Sequence, residues 1–496
     1  MFDDVKKTDL FRKNYLIYCI FFLVILLIYG ESLFYSFNWD DFSLFKNNER
    51  LYSNGLLSSI KLYFFSSDFI WYRPLYLLSF YFDYQIHRFN PIILRLENIL
   101  IFYLISVFLF KFIYILTKHR KLSFLTTICF IIMPINTETV CFISGRDSAL
   151  SLLFFLISIF LFYKSFANIS TNKLIFYSNI FFLLSMLCKE NGVCTLGWVL
   201  SLIFFYSKNK KRDLLYFTGY IITFLIYIIL RYNSFISPVS SGQQLLLGEN
   251  GLSQLITIPS LILNYLKIIL FPLNLNIFYD FPSHSFNFDV NFFIGFIIIL
   301  FSIFLLCSLK NPLIKFSICT FYISLAPFMH IINIHHYMTN RWANMATISI
   351  VIMIIFLLNK LFKNRYFFRI FFTILLIFYL NISIQQTKIW KDDLTLFSYA
   401  IKKNSNFISG FFNLGNIYFN KKEYIESEKF YKKCLELNPC YQPAITNLGY
   451  IYLHKKQYNQ AYDYFQNSQK ISENIYAKHG IKILKKHLNE INKEIN

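Results

Sequence analysis

Long apolar runs alternate with short polar and basic segments over the first 386 residues of the chain. A transmembrane helix needs about 20 apolar residues, and fewer are enough inside a helical bundle. Eleven runs meet this criterion, and we predict that each one forms a membrane span. They are residues 15–36, 99–117, 122–136, 148–165, 174–188, 191–206, 214–230, 290–308, 313–330, 344–360 and 366–385.

A twelfth apolar stretch, residues 256–271, is ambiguous because it contains Pro259, Asn264 and Lys267. Cytoplasmic loops of membrane proteins carry an excess of Lys and Arg. With a cytoplasmic N-terminus, the basic clusters fall on the cytoplasmic side only if this stretch does not cross. We therefore predict that it is a helix packed in or against the outer face of the bundle.

This topology defines two long outer loops and an outer C-terminal region. The first outer loop covers residues 37–98 and begins with FNWDD, whereas the second covers residues 231–290 and contains the helix that does not cross. Residues 1–386 form the predicted membrane domain, and residues 387–496 lie on the same side as both loops.

The composition of residues 387–496 changes abruptly to charged and polar. Leu414 and Gly415 recur as Leu448 and Gly449, 34 residues later, and Pro439 ends the first unit. This period and the L-G-x-x-Y core are the signature of the tetratricopeptide repeat, in which paired helices stack into an α-solenoid. The fold class that follows is all-α: a polytopic helical bundle with a C-terminal tetratricopeptide solenoid.

The overall composition agrees with a multi-spanning protein. Hydrophobic side chains make up 56% of the 496 residues and charged ones 15%, whereas soluble domains average about 25% charged residues. The net charge of +21 lies mostly in clusters between the apolar runs, so it reflects membrane topology rather than binding of nucleic acid.

Ionisable residues coincide repeatedly on the predicted outer face, where such groups tend to line functional cavities. Each group alone also has a structural explanation, such as a helix cap, a headgroup anchor, a hairpin salt bridge or a polar turn. The groups are Asp40 and Asp41; Arg73; Arg95 and Glu97; Glu138, Arg146 and Asp147; Lys189 and Glu190; and His335, His336 and Arg341.

This mixture of charges suits the transfer of a sugar from a lipid-linked phosphate to a hydroxyl. A carboxylate must remove the proton of the acceptor hydroxyl as it attacks the anomeric carbon. Arg or Lys must stabilise the phosphate that leaves. We predict that Asp40 or Asp41 is the base, and that Arg73, Glu138, Arg146, Lys189 and Glu190 bind the donor phosphate or the acceptor.

The order of the motifs WDD, YRPLYLLSF, NPIILRLENIL, ETVCFISGRDS, SMLCKENG, YLKIILFPLNLNIFYDFP and TNRW, followed by the repeats, resembles one family. It is the transmembrane and tetratricopeptide-repeat containing O-mannosyltransferases, with their bacterial relatives, in the GT-C class of integral-membrane glycosyltransferases. The sequence departs from the family pattern at Arg95, where a histidine is expected, and at Asn340, where an acidic residue is expected.

The resemblance implies a polyprenyl-phosphate-linked donor, typically of mannose, with inversion at the anomeric carbon and a site on the lumenal or periplasmic face. The acceptor would be a protein, presented or recruited by the repeats. So few repeats favour a bacterial inner membrane over the endoplasmic reticulum of a eukaryote. By this resemblance, one of Asp40 and Asp41 is the general base or binds a metal ion. The sequence shows no cofactor motif and leaves open whether a divalent cation takes part.

Two other function classes remain open. One is a non-catalytic membrane scaffold whose repeats assemble an envelope or secretion complex. The other is a transporter of lipid-linked sugars, which would place charged groups at mid-membrane rather than at one face.

Overall fold

The computed structural model describes residues 2–46, 51–66, 71–166, 171–235, 251–279, 289–329, 337–362 and 364–495. These residues form helices, and no β-strand occurs among them, which confirms the all-α class. The chain divides into two compact units, Met1–Lys391 and Asp392–Asn496. The domain boundary predicted between residues 386 and 387 lies inside a helix that ends at Ile389.

The first unit contains fifteen labelled helices in its described part. They are α1 (Phe2–Tyr29), α2 (Leu56–Phe65), α3 (Pro74–His87), α4 (Pro91–Thr117), α5 (Arg120–Ile131), α6 (Thr137–Cys141), α7 (Arg146–Ser165), α8 (Thr171–Cys188), α9 (Cys194–Tyr206), α10 (Lys210–Phe235), α11 (Gly251–Leu270), α12 (Val290–Ser308), α13 (Pro312–Leu325), α14 (Asn344–Leu361) and α15 (Arg365–Ile389). Short 3₁₀ turns, among them Ile143–Gly145 and Glu190–Val193, connect several of them.

Eight helices in the described residues are long and apolar enough to cross a membrane, and a bent pair, α5 with Pro134–Cys141, brings the number to nine. These nine coincide with nine of the eleven predicted spans. The other two correspond to shorter apolar helices, Glu190–Tyr206 and Pro312–Phe328. A multi-pass membrane protein is therefore supported, whereas the number eleven stays a prediction.

Helix α7 occupies the centre of the first unit, where it packs against both α4 and α8. Serine side chains cross the α7–α8 interface: Ser185 donates to the backbone oxygen of Ser151 at 2.8 Å, and Ser158 donates to that of Ser178 at 2.8 Å. Small polar residues at such an interface let helices approach closely and satisfy their own hydroxyl groups. This packing fixes the N-terminal end of α7, which carries Arg146 and Asp147.

Residues 256–270 of this stretch are helical, as predicted, within α11, which ends before Phe271. Helix α11 packs against α12, and a Cβ atom added at Gly295 of α12 would lie 2.0 Å from the backbone oxygen of Pro259 in α11. Only glycine permits this approach of the two backbones. Whether α11 crosses the membrane is not settled by this packing, so its non-crossing position stays a prediction.

The second unit consists of six helices in its described part. They are α16 (Asp393–Lys403), α17 (Ile408–Asn420), α18 (Tyr424–Leu437), α19 (Gln442–His454), α20 (Tyr458–Ile471) and α21 (Ile475–Ile495). Helices α19 and α20 each begin 34 residues after α17 and α18, which is the predicted period.

The repeated glycines allow the paired helices to pack closely. A Cβ atom at Gly415 would lie 2.4 Å from Cε1 of Tyr431, and one at Gly449 would lie 2.6 Å from Cε1 of Phe465. Both aromatic rings are fully buried. Each repeat therefore places an aromatic ring of its second helix where its first helix has no side chain.

Some predicted features fall outside the described residues. His335 and His336 are among them, as are parts of the segments 37–98 and 231–290. Asp40, Asp41 and the other predicted site residues are all described.

Candidate functional site

The turn that precedes α7 anchors the acidic pair in the segment between α1 and α4, which we call the first loop. Oδ1 of Asp41 accepts hydrogen bonds from the backbone N–H of Ser144 at 3.0 Å and from its hydroxyl at 2.6 Å. Oδ2 accepts one from the backbone N–H of Asn38 at 3.1 Å. Burial raises the pKa of Asp41 to about 6, and these hydrogen bonds oppose the rise. Asp41 is fully buried and holds the loop to the turn.

Asp40, in contrast, is exposed to solvent. Partial desolvation by the surrounding protein raises the pKa of its carboxyl group above the ordinary value, and the positive charge of Arg341 opposes this rise. The preceding residue, Trp39, has a φ of 49°, in the left-handed region that bulky side chains seldom adopt, and its ring stacks on Phe142 at 5.9 Å. The two neighbouring aspartates therefore have different surroundings, and Asp40 is the one that a substrate can reach.

Arg95, at the position where the family pattern has a histidine, forms hydrogen bonds to the residues just before Asp40 and Asp41. Its side chain is fully buried. It donates to the backbone oxygens of Tyr35 and Ser36, to Oδ1 of Asn38 at 3.2 Å and to the backbone oxygen of Cys141 at 3.3 Å. One planar guanidinium thus fixes the chain just before the aspartates.

A second group of charges forms where three segments meet. Arg73, which precedes α3, donates to Oδ2 of Asp147 at 2.7 Å and to Oε2 of Glu190 at 2.9 Å and 3.2 Å. Lys189 lies 3.0 Å from the same Oδ2 of Asp147. The side chain of Arg73 is 20% exposed, whereas that of Asp147 is 2% exposed. Asp147 is therefore the buried counter-ion that holds two cations side by side.

Lys189 is a buried cation with a shifted proton affinity. Burial lowers the pKa of Lys189 to about 8; Asp147 opposes the shift, and the positive charges of Arg341 and Arg73 add to it. Its Nζ also donates to the hydroxyl of Ser148. The ammonium group of Lys189 therefore loses its proton more readily than that of an exposed lysine.

Arg341 connects this group electrostatically with Asp40. Its Nε lies 3.3 Å from Oε1 of Glu138, whose side chain is 3% exposed, while the Arg341 side chain is 19% exposed. The guanidinium lies 5.7 Å from the centre of the Phe142 ring. Its charge acts on both Asp40 and Lys189. Arg341 is therefore the cation through which the exposed carboxylate and the Lys189 group are electrostatically connected.

Arg146 contacts a different set of residues. It forms ion pairs with Asp83 and with Glu97, the latter at 2.7 Å, and donates to Oδ1 of Asn98 at 3.0 Å. Its guanidinium lies 4.5 Å from the centre of the Phe80 ring, and its side chain is 2% exposed. With two carboxylates around it, this buried arginine is placed to hold α3, α4 and α7 together.

The structure thus separates the predicted site residues into groups. Arg73, Lys189 and Glu190 lie together, Glu138 joins them through Arg341, and Arg146 lies in another cluster. Asp147 and Arg341 were expected on the outer face without an assigned role, although both stand beside assigned motifs. Asp83 and His87 were not predicted as site residues; their spacing of four residues on one helix was the available signal.

The arrangement combines an exposed carboxylate with partly exposed cations. The charge of Arg341 acts on Asp40, and Arg73 lies with Lys189 around Asp147. Within the described part of the chain, the residues that could hold a metal ion are Asp83, His87 and Glu97, which each offer a ligand atom within 4.8 Å of the others.

Comparison with known proteins identifies the repeats of the second unit. One family model described as tetratricopeptide repeat matches residues 408–439, and another with the same description matches residues 430–463. The tetratricopeptide repeats predicted from the 34-residue period are therefore confirmed.

The curated relatives are named as O-mannosyl-transferases. The chain is 30% identical over 190 residues to human protein O-mannosyl-transferase TMTC3, which is 35% of this chain and 20% of that protein. It is 33% identical over 148 residues to human protein O-mannosyl-transferase TMTC4, which is 25% of this chain and 20% of that protein. It is 30% identical over 208 residues to human protein O-mannosyl-transferase TMTC1, which is 37% of this chain and 23% of that protein.

These relatives confirm the resemblance predicted from the order of the motifs. The chain matches about a fifth to a quarter of the length of these relatives. No solved structure matches the chain.

Proposed function

We propose that the chain is a membrane glycosyltransferase that moves a sugar, typically mannose, from a polyprenyl-phosphate donor to a hydroxyl of a protein acceptor. The names of the curated relatives support this class of reaction. A single observation carries the mechanism. The positive charge of Arg341 acts both on the exposed carboxylate of Asp40 and on Lys189, which shares the counter-ion Asp147 with Arg73.

Asp40 acts as the general base. The acceptor hydroxyl attacks the anomeric carbon, its proton passes to the Asp40 carboxylate, and the bond between that carbon and the donor phosphate oxygen breaks with its electrons going to phosphate. Attack from the face opposite the leaving group inverts the anomeric configuration. Proton transfer to a positioned side chain contributes typically about 10²–10⁴-fold to such a rate.

The cations hold the donor phosphate. Arg341 and Arg73 both expose about a fifth of their side chains, so their free faces can donate to phosphate oxygens. Lys189 is buried behind them and adds positive charge without needing direct contact. When Asp40 takes up a proton, the site gains one positive charge as the leaving phosphate gains one negative charge, so the charges stay balanced.

Asp41, Arg95 and Arg146 act as positioning residues. All three are buried, and each makes hydrogen bonds to backbone or side-chain groups of neighbouring segments. They fix the first loop and the start of α7, which carry the groups that touch the substrates.

The repeat unit binds the acceptor protein. Asn416 and Asn447 lie on the first helices of the two repeats, and both side chains bond to the Tyr431 hydroxyl, at 2.7 Å and 3.0 Å. Partly exposed amides of this kind can bond the backbone of an extended peptide. In this proposal the active site and the repeats share the extracytoplasmic side of a membrane, most simply the periplasmic side of a bacterial inner membrane.

The test is a donor screen with the purified chain in liposomes. Several radiolabelled polyprenyl-phosphate sugars, with mannose first, are supplied together with membrane and soluble proteins of the host, and label in protein is counted. We expect label to reach protein from one donor class with the unaltered chain and with Glu31→Gln, an exposed carboxylate outside the site.

The Asp40→Asn variant should transfer about 10²–10⁴-fold less label while binding its protein partners as before. Transfer from no polyprenyl-phosphate donor, with the repeats still retaining partner proteins, would instead support the scaffold function. Full transfer by Asp40→Asn would overturn the proposed base.

A further inference from the structure

The end of α3 and the start of α4 bring together three groups that the transfer site does not use. Asp83 and His87 lie one helical turn apart on α3, and Glu97 faces them from α4. Nε2 of His87 lies 3.9 Å from Oδ1 of Asp83 and 3.6 Å from Oε1 of Glu97. The His87 side chain is only 7% exposed, and its Nε2 is buried with no hydrogen-bond partner.

These distances are too long for hydrogen bonds and too short for an intervening water molecule. They are close to the spacing of ligands around one metal ion. Bonds of about 2.0–2.2 Å from zinc to nitrogen and oxygen, at tetrahedral angles, put neighbouring ligand atoms about 3.4 Å apart. An unsatisfied, buried imidazole nitrogen that faces two carboxylate oxygens at this spacing points to a cation-binding site.

The second oxygens of both carboxylates are already oriented. Oδ2 of Asp83 and Oε2 of Glu97 both bond to the guanidinium of Arg146. This leaves Oδ1 and Oε1 directed at His87. Partners that orient the ligands of a metal are a regular part of metal sites, because they reduce the freedom that binding would otherwise have to remove.

We propose that Asp83, His87 and Glu97 bind a divalent transition-metal ion of the zinc type. One imidazole nitrogen with two carboxylate oxygens is a donor set that suits Zn²⁺ or Mn²⁺ better than Mg²⁺, which prefers oxygen alone. The two carboxylates and Arg146 together carry one negative charge, so the cluster favours a cation. Glu97, with 33% of its side chain exposed, leaves the ion an entry path and room for water as a fourth ligand.

Binding at Nε2 requires the proton of the neutral ring to sit on Nδ1. In the structure, Nδ1 of His87 accepts a hydrogen bond from the backbone N–H of Asn90 at 3.1 Å. The same N–H lies 3.2 Å from the backbone oxygen of His87 and keeps that acceptor when the tautomer changes. The new Nδ1–H would face this N–H donor to donor, so metal binding also requires the imidazole ring to turn away from Asn90. The ion therefore selects one tautomer of His87 without a net release of protons.

The ion would be structural. It would join the last turn of α3 to α4, whereas Arg73 precedes the other end of α3. Fourteen residues at 1.5 Å per residue put Arg73 about 20 Å away along the helix axis. The site thus shares no ligand with the transfer site, although Arg146 and Asp147 at the start of α7 connect the two. The inference does not depend on the proposed transferase activity.

The experiment uses the full chain in detergent, treated with EDTA and then exposed to ZnCl₂, MnCl₂ or MgCl₂. Metal content after gel filtration is measured by mass spectrometry, and thermal unfolding is followed in the same samples. The variants are His87→Gln and Glu97→Gln, with His119→Ala, an exposed histidine between α4 and α5, as the matched control.

We expect the unaltered chain and His119→Ala to retain one equivalent of Zn²⁺ or Mn²⁺ more than either ligand variant, and no Mg²⁺. Metal at about 100 times its Kd should raise the folded-to-unfolded ratio about 100-fold, and only in chains with an intact site. Equal metal content in the unaltered chain and both ligand variants would overturn the proposal. So would unfolding that zinc does not shift. Glu97→Gln keeps the test decisive if His87→Gln does not fold.

Discussion

Oδ1 of Asp41 accepts both the backbone N–H and the hydroxyl of Ser144, so the first loop is fastened to the turn that begins α7. The first residues of α7, which follow this turn, make two further connections. Arg146 binds Asp83 on α3, and Asp147 binds Arg73. One short segment, residues 144–147, therefore positions the candidate base, the candidate phosphate site and the candidate metal site.

The two aspartates should separate catalysis from stability. Asp40→Asn removes the exposed base, so we expect transfer to fall about 10²–10⁴-fold while thermal unfolding changes by less than about 0.5 kcal/mol. Asp41→Asn places an amide N–H against the backbone N–H of Asn38, so we expect a loss of about 1–3 kcal/mol of stability. Transfer assays and thermal unfolding of both variants check this. The reverse pattern would assign the base to Asp41.

The pH dependence of transfer should show two limbs. Desolvation raises the pKa of Asp40 above its ordinary value of 3.8. We therefore expect kcat/KM to rise with pH as this carboxyl group loses its proton, at a pH above 3.8. The pKa of Lys189 is lowered by burial to about 8, so activity should fall as pH passes through 8 and the site loses a positive charge. The measurement is kcat/KM from pH 4 to 10.

Lys189→Arg tests the alkaline limb, because arginine keeps its charge throughout this range. We expect the fall near pH 8 to disappear in this variant, whatever its activity at pH 7. An unchanged alkaline limb would assign that limb to another group.

Gly295→Ala should disrupt the packing of α11 on α12. The added Cβ would lie 2.0 Å from the backbone oxygen of Pro259, and backbone atoms cannot move away as a flexible side chain can. We expect a loss of about 1–3 kcal/mol in unfolding of the full chain. Gly30→Ala is the matched control, because nothing lies within 4 Å of a Cβ at Gly30. Equal stability of the two variants would contradict the close contact.

Gly449→Ala should loosen the second repeat, because its Cβ would lie 2.6 Å from the Phe465 ring. We expect a lower unfolding temperature of the repeat unit, corresponding to about 1–3 kcal/mol. The double variant with Phe465→Leu provides the control, since a smaller side chain relieves the contact. A double-variant cycle with no interaction energy would show that the two residues do not meet as described.

The sequence predicted the fold to the extent that it depends on local periodicity. Apolar runs gave the positions of the long helices, and the 34-residue spacing of Gly415 and Gly449 gave the repeat pairs. The number of spans is harder to predict, because the helices Glu190–Tyr206 and Pro312–Phe328 are apolar but shorter than the roughly 20 residues that a membrane span needs.

The site was less accessible to sequence reasoning, because it depends on contacts between distant segments. Nothing in the local sequence distinguishes Asp40 from Asp41; the difference arises from Ser144, about a hundred residues away. Likewise Arg146 and Asp147 are adjacent in the chain, yet they bind different partners because successive residues of a helix point in different directions.

The most direct test of the proposed transfer chemistry is a single turnover with labelled polyprenyl-phosphate mannose bound to the purified chain. The donor is loaded first, a protein acceptor is added, and donor-bound and protein-bound label are separated over time. The account predicts that Asp40→Asn binds the donor as tightly as the unaltered chain and Glu31→Gln do, but passes label to protein about 10²–10⁴-fold more slowly. Transfer by Asp40→Asn at the unaltered rate would contradict it.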